Sequence, residues 1–160
     1  MEKAQINWVD DYFNSYEVHK LAFKNIVCEV QSEIQKIIIA DTYNYGRCLI
    51  LDNEFQSAER DEFIYHEALV HPSLILHPGA ESVLILGGGE GATLREVLRH
   101  SIVKKTIMVD IDKEVVACSK KFLPSFHAGA FDDSRVEITF EDGRKYVERT
   151  QDRFDVVVID

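Results

Sequence analysis

The chain has 160 residues, of which 46% are apolar and 10% aromatic, and it carries a formal net charge of −10 at neutral pH. This composition excludes a disordered chain and predicts a packed core, in one ordinary domain or in a small domain joined to part of a larger one. The acidic balance argues against nucleic acid as the main partner, since phosphates need a basic surface, and it suits a cationic substrate as well as it suits plain solubility.

The opening stretch, MEKAQINWVDDYF, lacks the apolar segment of a secretion signal. No later apolar run approaches the roughly 20 residues that span a bilayer, so a cytoplasmic protein with no membrane partner is expected. Short β-like runs follow at Ile26–Val30, Gln35–Ala40 and Cys48–Leu51, with Asn44 and Gly46 supplying turn chemistry. They predict a small antiparallel β-domain over residues 1–56. After Ser57 the period changes. Phe63, Ile64, Ala68 and His71 recur at roughly helical spacing over 59–71, and Pro72 is expected to end or bend that helix. His66, Glu67 and His71 form HExxxH rather than HExxH; a five-residue step turns about 140° around a helix, so the two imidazoles do not share a face and no metal site is expected. Cys28, Cys48 and Cys118 are odd in number and far apart, with no CxxC pair, and read as reduced structural thiols.

From Ser82 the chain alternates. Strands are predicted at Val83–Leu86, Thr106–Asp110, Val136–Phe140 and Phe154–Asp160, with helices at Thr93–His100, Lys113–Leu123 and Arg144–Thr150 and a loop of about a dozen residues around Pro124 and Gly129. Strands separated by helices imply right-handed crossovers and a parallel sheet, so residues 57–160 read as the N-terminal portion of a Rossmann-like α/β domain. The run Val156-Val157-Val158-Ile159 suits a strand buried on both faces.

In such a sheet the ligand lies beyond the carboxyl ends of the strands, where Glu90, Asp110, Asp142 and Asp160 fall. One acidic strand end is commonplace, and Asp142 suits a helix cap as well as a ligand contact; four of four point to a site. The glycine loop, Gly87-x-Gly89-x-Gly91, departs from GxGxxG, although Ala92 can stand in for the last glycine. Asp110, about 20 residues on, is placed to accept hydrogen bonds from ribose hydroxyls. A pyrophosphate over this loop would lie within about 5 Å of Glu90, a repulsion of roughly 3 kcal/mol per charge pair at an effective dielectric near 20. An adenosyl sulfonium is attracted instead. The loop offers acid and no base, because Arg95 lies a helical turn away, and this tilts the reading from S-adenosylmethionine, which keeps a carboxylate, toward its decarboxylated form, which ends in an ammonium. An S-adenosylmethionine-dependent methyltransferase and a non-catalytic fragment or assembly module remain as alternatives.

The stretches FQSAERDEFIYHEALVHP (55–72), LILGGGEGATLREVL (84–98), VDIDKEVVACSKKFLP (109–124), FEDGRKYVE (140–148) and FDVVVID (154–160) closely resemble the polyamine aminopropyltransferases, the spermidine synthase family. The resemblance implies a small β-domain before a Rossmann-like catalytic domain, a homodimer or homotetramer, decarboxylated S-adenosylmethionine as co-substrate with no prosthetic group, and a polyamine acceptor. It implies that Gln35 contacts the nucleoside, that Tyr65 and His66 face the amine and the donor arm, and that Glu90 holds the donor ammonium. Asp110 becomes the ribose-binding acid, Asp142 the reader of the adenine amino group and Asp160 the catalytic aspartate, which also meets the acceptor; Gly87, Gly89 and Gly143 complete the donor set. Ordinary helix packing is the alternative for Tyr65 and His66.

The sequence departs from the commonest family form, GGGDG, by reading GGGEG. With QSAERDEFIYHE and FHAGAFDDSR this resembles the branch containing thermospermine synthases and the thermophilic enzymes acting on triamines or agmatine. Putrescine, agmatine and spermidine stay open as acceptors. The family pattern continues past Asp160 with a second aspartate and further strands, so the expectation is a fragment or one piece of a split protein, with little transfer on its own.

Overall fold

The computed structural model describes residues 7–160. The chain forms two compact units, divided between Asp61 and Glu62. The first is a five-stranded antiparallel meander: β1 (Asn7–Asn14), β2 (Glu17–Gln31), β3 (Lys36–Thr42), β4 (Arg47–Leu51) and β5 (Glu54–Ala58), paired in chain order. Phe23, Ile38, Ala40, Cys48, Ile50 and Ala58 form its core. The β4–β5 hairpin turns on Asp52 and Asn53, both at positive φ, the conformation that a two-residue turn needs to match strand twist. Asp52 also accepts a 2.8 Å bond from the Lys36 amide, which ties the hairpin to β3. Burial pushes the pKa of the Cys48 thiol up to about 12, and its S–H donates to the Ala40 carbonyl, so it stays an unreactive core group. Sequence patterning showed β3, β4 and the inner part of β2. It missed β1, the outer part of β2 and β5, where few apolar residues stand among polar ones; β5 runs over the boundary expected at residue 56.

The second unit is a four-stranded parallel sheet with helices: α1 (Glu62–Leu76), β6 (Ser82–Leu86), α2 (Ala92–Leu98), β7 (Lys105–Asp110), α3 (Lys113–Phe122), α4 (Pro124–His127), β8 (Val136–Phe140), α5 (Gly143–Arg149) and β9 (Val156–Ile159). The order is β8-β7-β6-β9, with all pairs parallel. Two successive crossovers run one way and the third reverses, so the carboxyl end of β6 lies at the switch point where such sheets bind ligands. Val83, Ile85, Met108, Val156 and Val158 pack with Val70 and Leu74 of α1 and Leu94 and Val97 of α2. On the other face Leu84, Ile107 and Val109 pack with Tyr146 of α5.

Four expectations are corrected. Pro72 does not end α1: the helix runs on to Leu76, with Leu74 beyond the proline buried in the core. The buried stripe of α1 is Glu62, His66, Val70 and Leu74, while Phe63, Ile64 and Ala68 are exposed. Two polar residues take core positions because they are paired, as described below. The segment 124–135 holds α4 and a 3-10 turn over Ala130–Asp132 rather than plain loop. Among the described residues β9 pairs with β6 alone and is buried on one face, with Val157 51% and Ile159 72% exposed.

Candidate active site

β6 feeds directly into the glycine loop. Gly87 and Gly91 take φ of +89° and +83°, which a side chain would strain. A Cβ on Gly87 would also lie 2.4 Å from the Asp160 carbonyl oxygen, and one on Gly89 only 2.7 Å from Asp110 Oδ2 and 2.8 Å from Val115 Cγ1. The loop is therefore glycine-rich so that the carboxyl ends of β7 and β9 can close on it. The backbone stitches the same three ends together: the Gly87 amide donates to Val109 (2.8 Å) and the Asp160 amide to Leu86 (2.9 Å).

Asp110 closes β7 and is 8% exposed. Its Oδ1 accepts from the Asp112 amide at 2.8 Å. Burial, followed by repulsion from Glu90, raises its pKa, against the backbone amides of Asp112 and Gly89. Asp112 caps α3 by accepting from the Glu114 amide. Asp142 caps α5: its Oδ1 accepts from the Arg144 and Lys145 amides at 2.8 and 3.1 Å. Gly143 begins that helix, where a Cβ would stand 3.3 Å from Leu86 Cδ2.

On the other side of the loop the contacts are between charged side chains. His66, 1% exposed, meets Glu90 Oε1 through Nε2 at 3.0 Å and Glu62 through Nδ1, at 2.9 Å to Oε2 and 2.6 Å to the carbonyl oxygen. Burial opposes charging the ring, but its bonds to Glu62 and Glu90 and the field of Asp160 outweigh it and lift the pKa to about 10. His66 is thus an imidazolium. Glu62 in turn accepts both arms of the Arg95 guanidinium, at 2.9 and 3.0 Å, and against its burial the bonds from His66 and then Arg95 hold its pKa low. Asp160 Oδ2 accepts from the Thr93 hydroxyl at 2.6 Å. Burial and then Glu90 raise the Asp160 pKa, with Thr93, His66 and the Tyr65 hydroxyl pulling the other way. Burial and Asp160 raise the Tyr65 phenol in return.

His66, Glu90 and Asp160 thus converge, offering polar atoms within 4.8 Å of one another. With both ring nitrogens donating, His66 has no lone pair for a metal. A second group, Glu67, His71 and Glu96, is bridged by Arg99, which donates to both Glu67 and Glu96. The arrangement overturns one expectation: the Glu90 loop does have a cation, His66, delivered from α1. Gln35 lies in the first unit, in the β2–β3 turn, where its backbone carbonyl accepts from the Ser32 amide and hydroxyl. Glu62, Thr93 and Arg95 were missed in the sequence. The four-residue step from Glu62 to His66 on one helix face was the available signal for the first.

A parallel sheet with its glycine loop at the switch point and a carboxylate at the end of the next strand defines a Rossmann-like α/β protein. Residues 62–160 match the family described as the spermine/spermidine synthase domain, and residues 7–59 the spermidine synthase tetramerisation domain. The chain belongs to the spermine/spermidine synthase family. It is 55% identical over 133 residues to a polyamine aminopropyltransferase of Pyrobaculum neutrophilum, covering 81% of this chain and 46% of the relative. A polyamine aminopropyltransferase of Sulfurisphaera tokodaii is 46% identical over 154 residues, 96% of this chain and 51% of that one. The crystal structure of spermidine synthase from Thermotoga maritima superposes with a TM-score of 0.92 at 36% identity, covering 99% of this chain and 57% of that one. A spermidine synthase in complex with the transition-state analogue AdoDATO gives 0.93 at 36% identity, covering 100% and 57%. The chain spans about half the length of the curated relatives it matches.

Proposed function

We propose that the protein transfers an aminopropyl group from decarboxylated S-adenosylmethionine to a polyamine acceptor (putrescine, agmatine or spermidine) and releases methylthioadenosine. The observation that carries this reading is the group of carboxylates around the glycine loop, Glu90 within it and Asp110 and Asp160 at the ends of β7 and β9, which outnumber the one cation among them, His66: the place suits the two positive centres of the donor. Support comes also from the family and from the neighbour described with AdoDATO.

Gly87 and Gly89 admit the donor, Asp110 accepts from the ribose hydroxyls, Asp142 and Gly143 meet the adenine edge, and Gln35 contacts the nucleoside. Glu90 pairs with the ammonium of the three-carbon arm, with His66 beside it, and Tyr65 and Asp160 face the acceptor. The neutral amine attacks the methylene next to sulfur; a C–N bond forms, the C–S bond breaks, and its electron pair neutralises the sulfonium. The amine proton passes to Asp160, whose raised pKa makes it a better base than an ordinary aspartate. The leaving group arrives activated, so orientation and electrostatics provide most of the acceleration.

The two units correspond to an N-terminal assembly domain and a catalytic domain, and the tetramerisation match supports a homodimer or homotetramer. No helix among the described residues is long and apolar enough to cross a membrane; we place the protein in the cytoplasm, with small molecules rather than nucleic acid as ligands. Incubating the intact protein with each donor and a set of amines tests the reading. Methylthioadenosine and an extended amine from the decarboxylated donor are expected; methylation from S-adenosylmethionine alone would overturn it.

A further inference from the structure

We propose that Glu62 and Arg95 are positioning residues: they clamp His66 as a fixed cation that holds Glu90 in place and leaves Asp160 as the base of the site. The kinetic arm of this proposal rests on the aminopropyl-transfer reading; the geometry does not. Charges alternate along one continuous run, Arg95 to Glu62 to His66 to Glu90, across α2, α1 and the glycine loop. Arg95 is anchored from behind by the Phe126 carbonyl at 2.6 Å and Glu96 at 2.7 Å, so its planar fork presents Glu62 at a set angle. Both oxygens of Glu62 are used, one by Arg95 alone and the other shared between Arg95 and His66.

The hydrogen-bond inventory then leaves one protonation state. A neutral His66 with its proton on Nδ1 would turn a bare lone pair at Nε2 toward the Glu90 carboxylate 3.0 Å away; with the proton on Nε2, bare Nδ1 would face the Glu62 carboxylate and carbonyl. Only the doubly protonated ring satisfies every acceptor. Such a ring can bind Glu90 but cannot accept a proton from an amine. The clamp thus keeps His66 out of the proton transfer and leaves that step to Asp160, whose Oδ2 accepts from the Thr93 hydroxyl.

The test is Glu62→Gln in the intact protein, read by nitrogen-detected NMR of the His66 ring between pH 6 and 9. Wild-type His66 is expected to stay doubly protonated throughout, and the variant ring to titrate inside that window, because an amide can donate to Nδ1 and stabilise the neutral form. Donor KM in the variant should then rise severalfold with pH across the window, while methylthioadenosine, which lacks the ammonium, binds with unchanged affinity at every pH and reports intact folding. Arg95→Lys, which keeps the charge and loses the fork, should shift the ring in the same direction by less. A wild-type ring titrating near its ordinary value, or a Glu62→Gln ring protonated throughout, would overturn the inference. The NMR arm involves no turnover, so its failure leaves aminopropyl transfer standing, and failure of transfer leaves the clamp standing.

Discussion

The two flanks of the glycine loop use the same residue type in different ways. On the Asp110 and Asp142 flank, carboxylates are held by backbone amides, which are fixed by the strand ends and helix starts they belong to. On the Glu90 and Asp160 flank they are held by other side chains: His66, Thr93 and, one step back, Glu62 and Arg95. Backbone-held carboxylates are rigid acceptors, suited to hydroxyls and an amino group that never change charge. Side-chain-held ones sit in a field that the protein tunes, suited to an ammonium, a sulfonium and a proton in transit.

The largest way to sharpen this contrast is Asp160→Asn. Removing the base should cut turnover by roughly 10²–10⁴-fold while methylthioadenosine binding in equilibrium dialysis stays within experimental spread. A comparable loss of methylthioadenosine affinity would move Asp160 to the nucleoside flank and erase the distinction.

The next effect is on stability against pH. The folded pKa of His66, about 10, lies above the ordinary histidine value of 6.5. Its contribution is therefore complete below about pH 6.5 and is lost as pH rises toward 10, a change on the order of a few kcal/mol at most. Chemical denaturation at a series of pH values should show this decline, and His66→Gln should remove most of it. The smallest effect belongs to the other flank: Asp142→Ala should cost about 1 kcal/mol from the lost α5 cap, read by chemical denaturation, and should weaken nucleoside binding.

The contrast also marks what could be seen in the sequence. The parallel sheet was legible because β6, β7 and β9 are apolar runs separated by helical segments, and the carboxylates were found at the ends of those runs. The glycine loop was legible because Gly87 and Gly89 have no room for a Cβ. The clamp was not. Glu62 and Arg95 are 33 residues apart, and only folding of α1 against α2 pairs them, so each looks like an ordinary surface charge. The same pairing hid the buried face of α1, where Glu62 and His66 take positions that hydrophobic periodicity assigns to apolar side chains. The outer strands of the first unit stayed hidden for the opposite reason: each gives only a few side chains to the core, such as Phe23, Phe55 and Ala58, among polar neighbours.

The central claim is that Glu90 serves the aminopropyl ammonium and Asp110 the ribose. Calorimetry with Glu90→Gln and Asp110→Asn, each titrated with decarboxylated S-adenosylmethionine and with methylthioadenosine, tests it directly. Losing a charge-assisted bond worth about 1.5–3 kcal/mol, Glu90→Gln should bind the donor roughly 10- to 100-fold more weakly and methylthioadenosine as the wild type does, whereas Asp110→Asn should weaken both ligands alike. Equal losses of the two ligands in Glu90→Gln, or a loss confined to the donor in Asp110→Asn, would contradict the account.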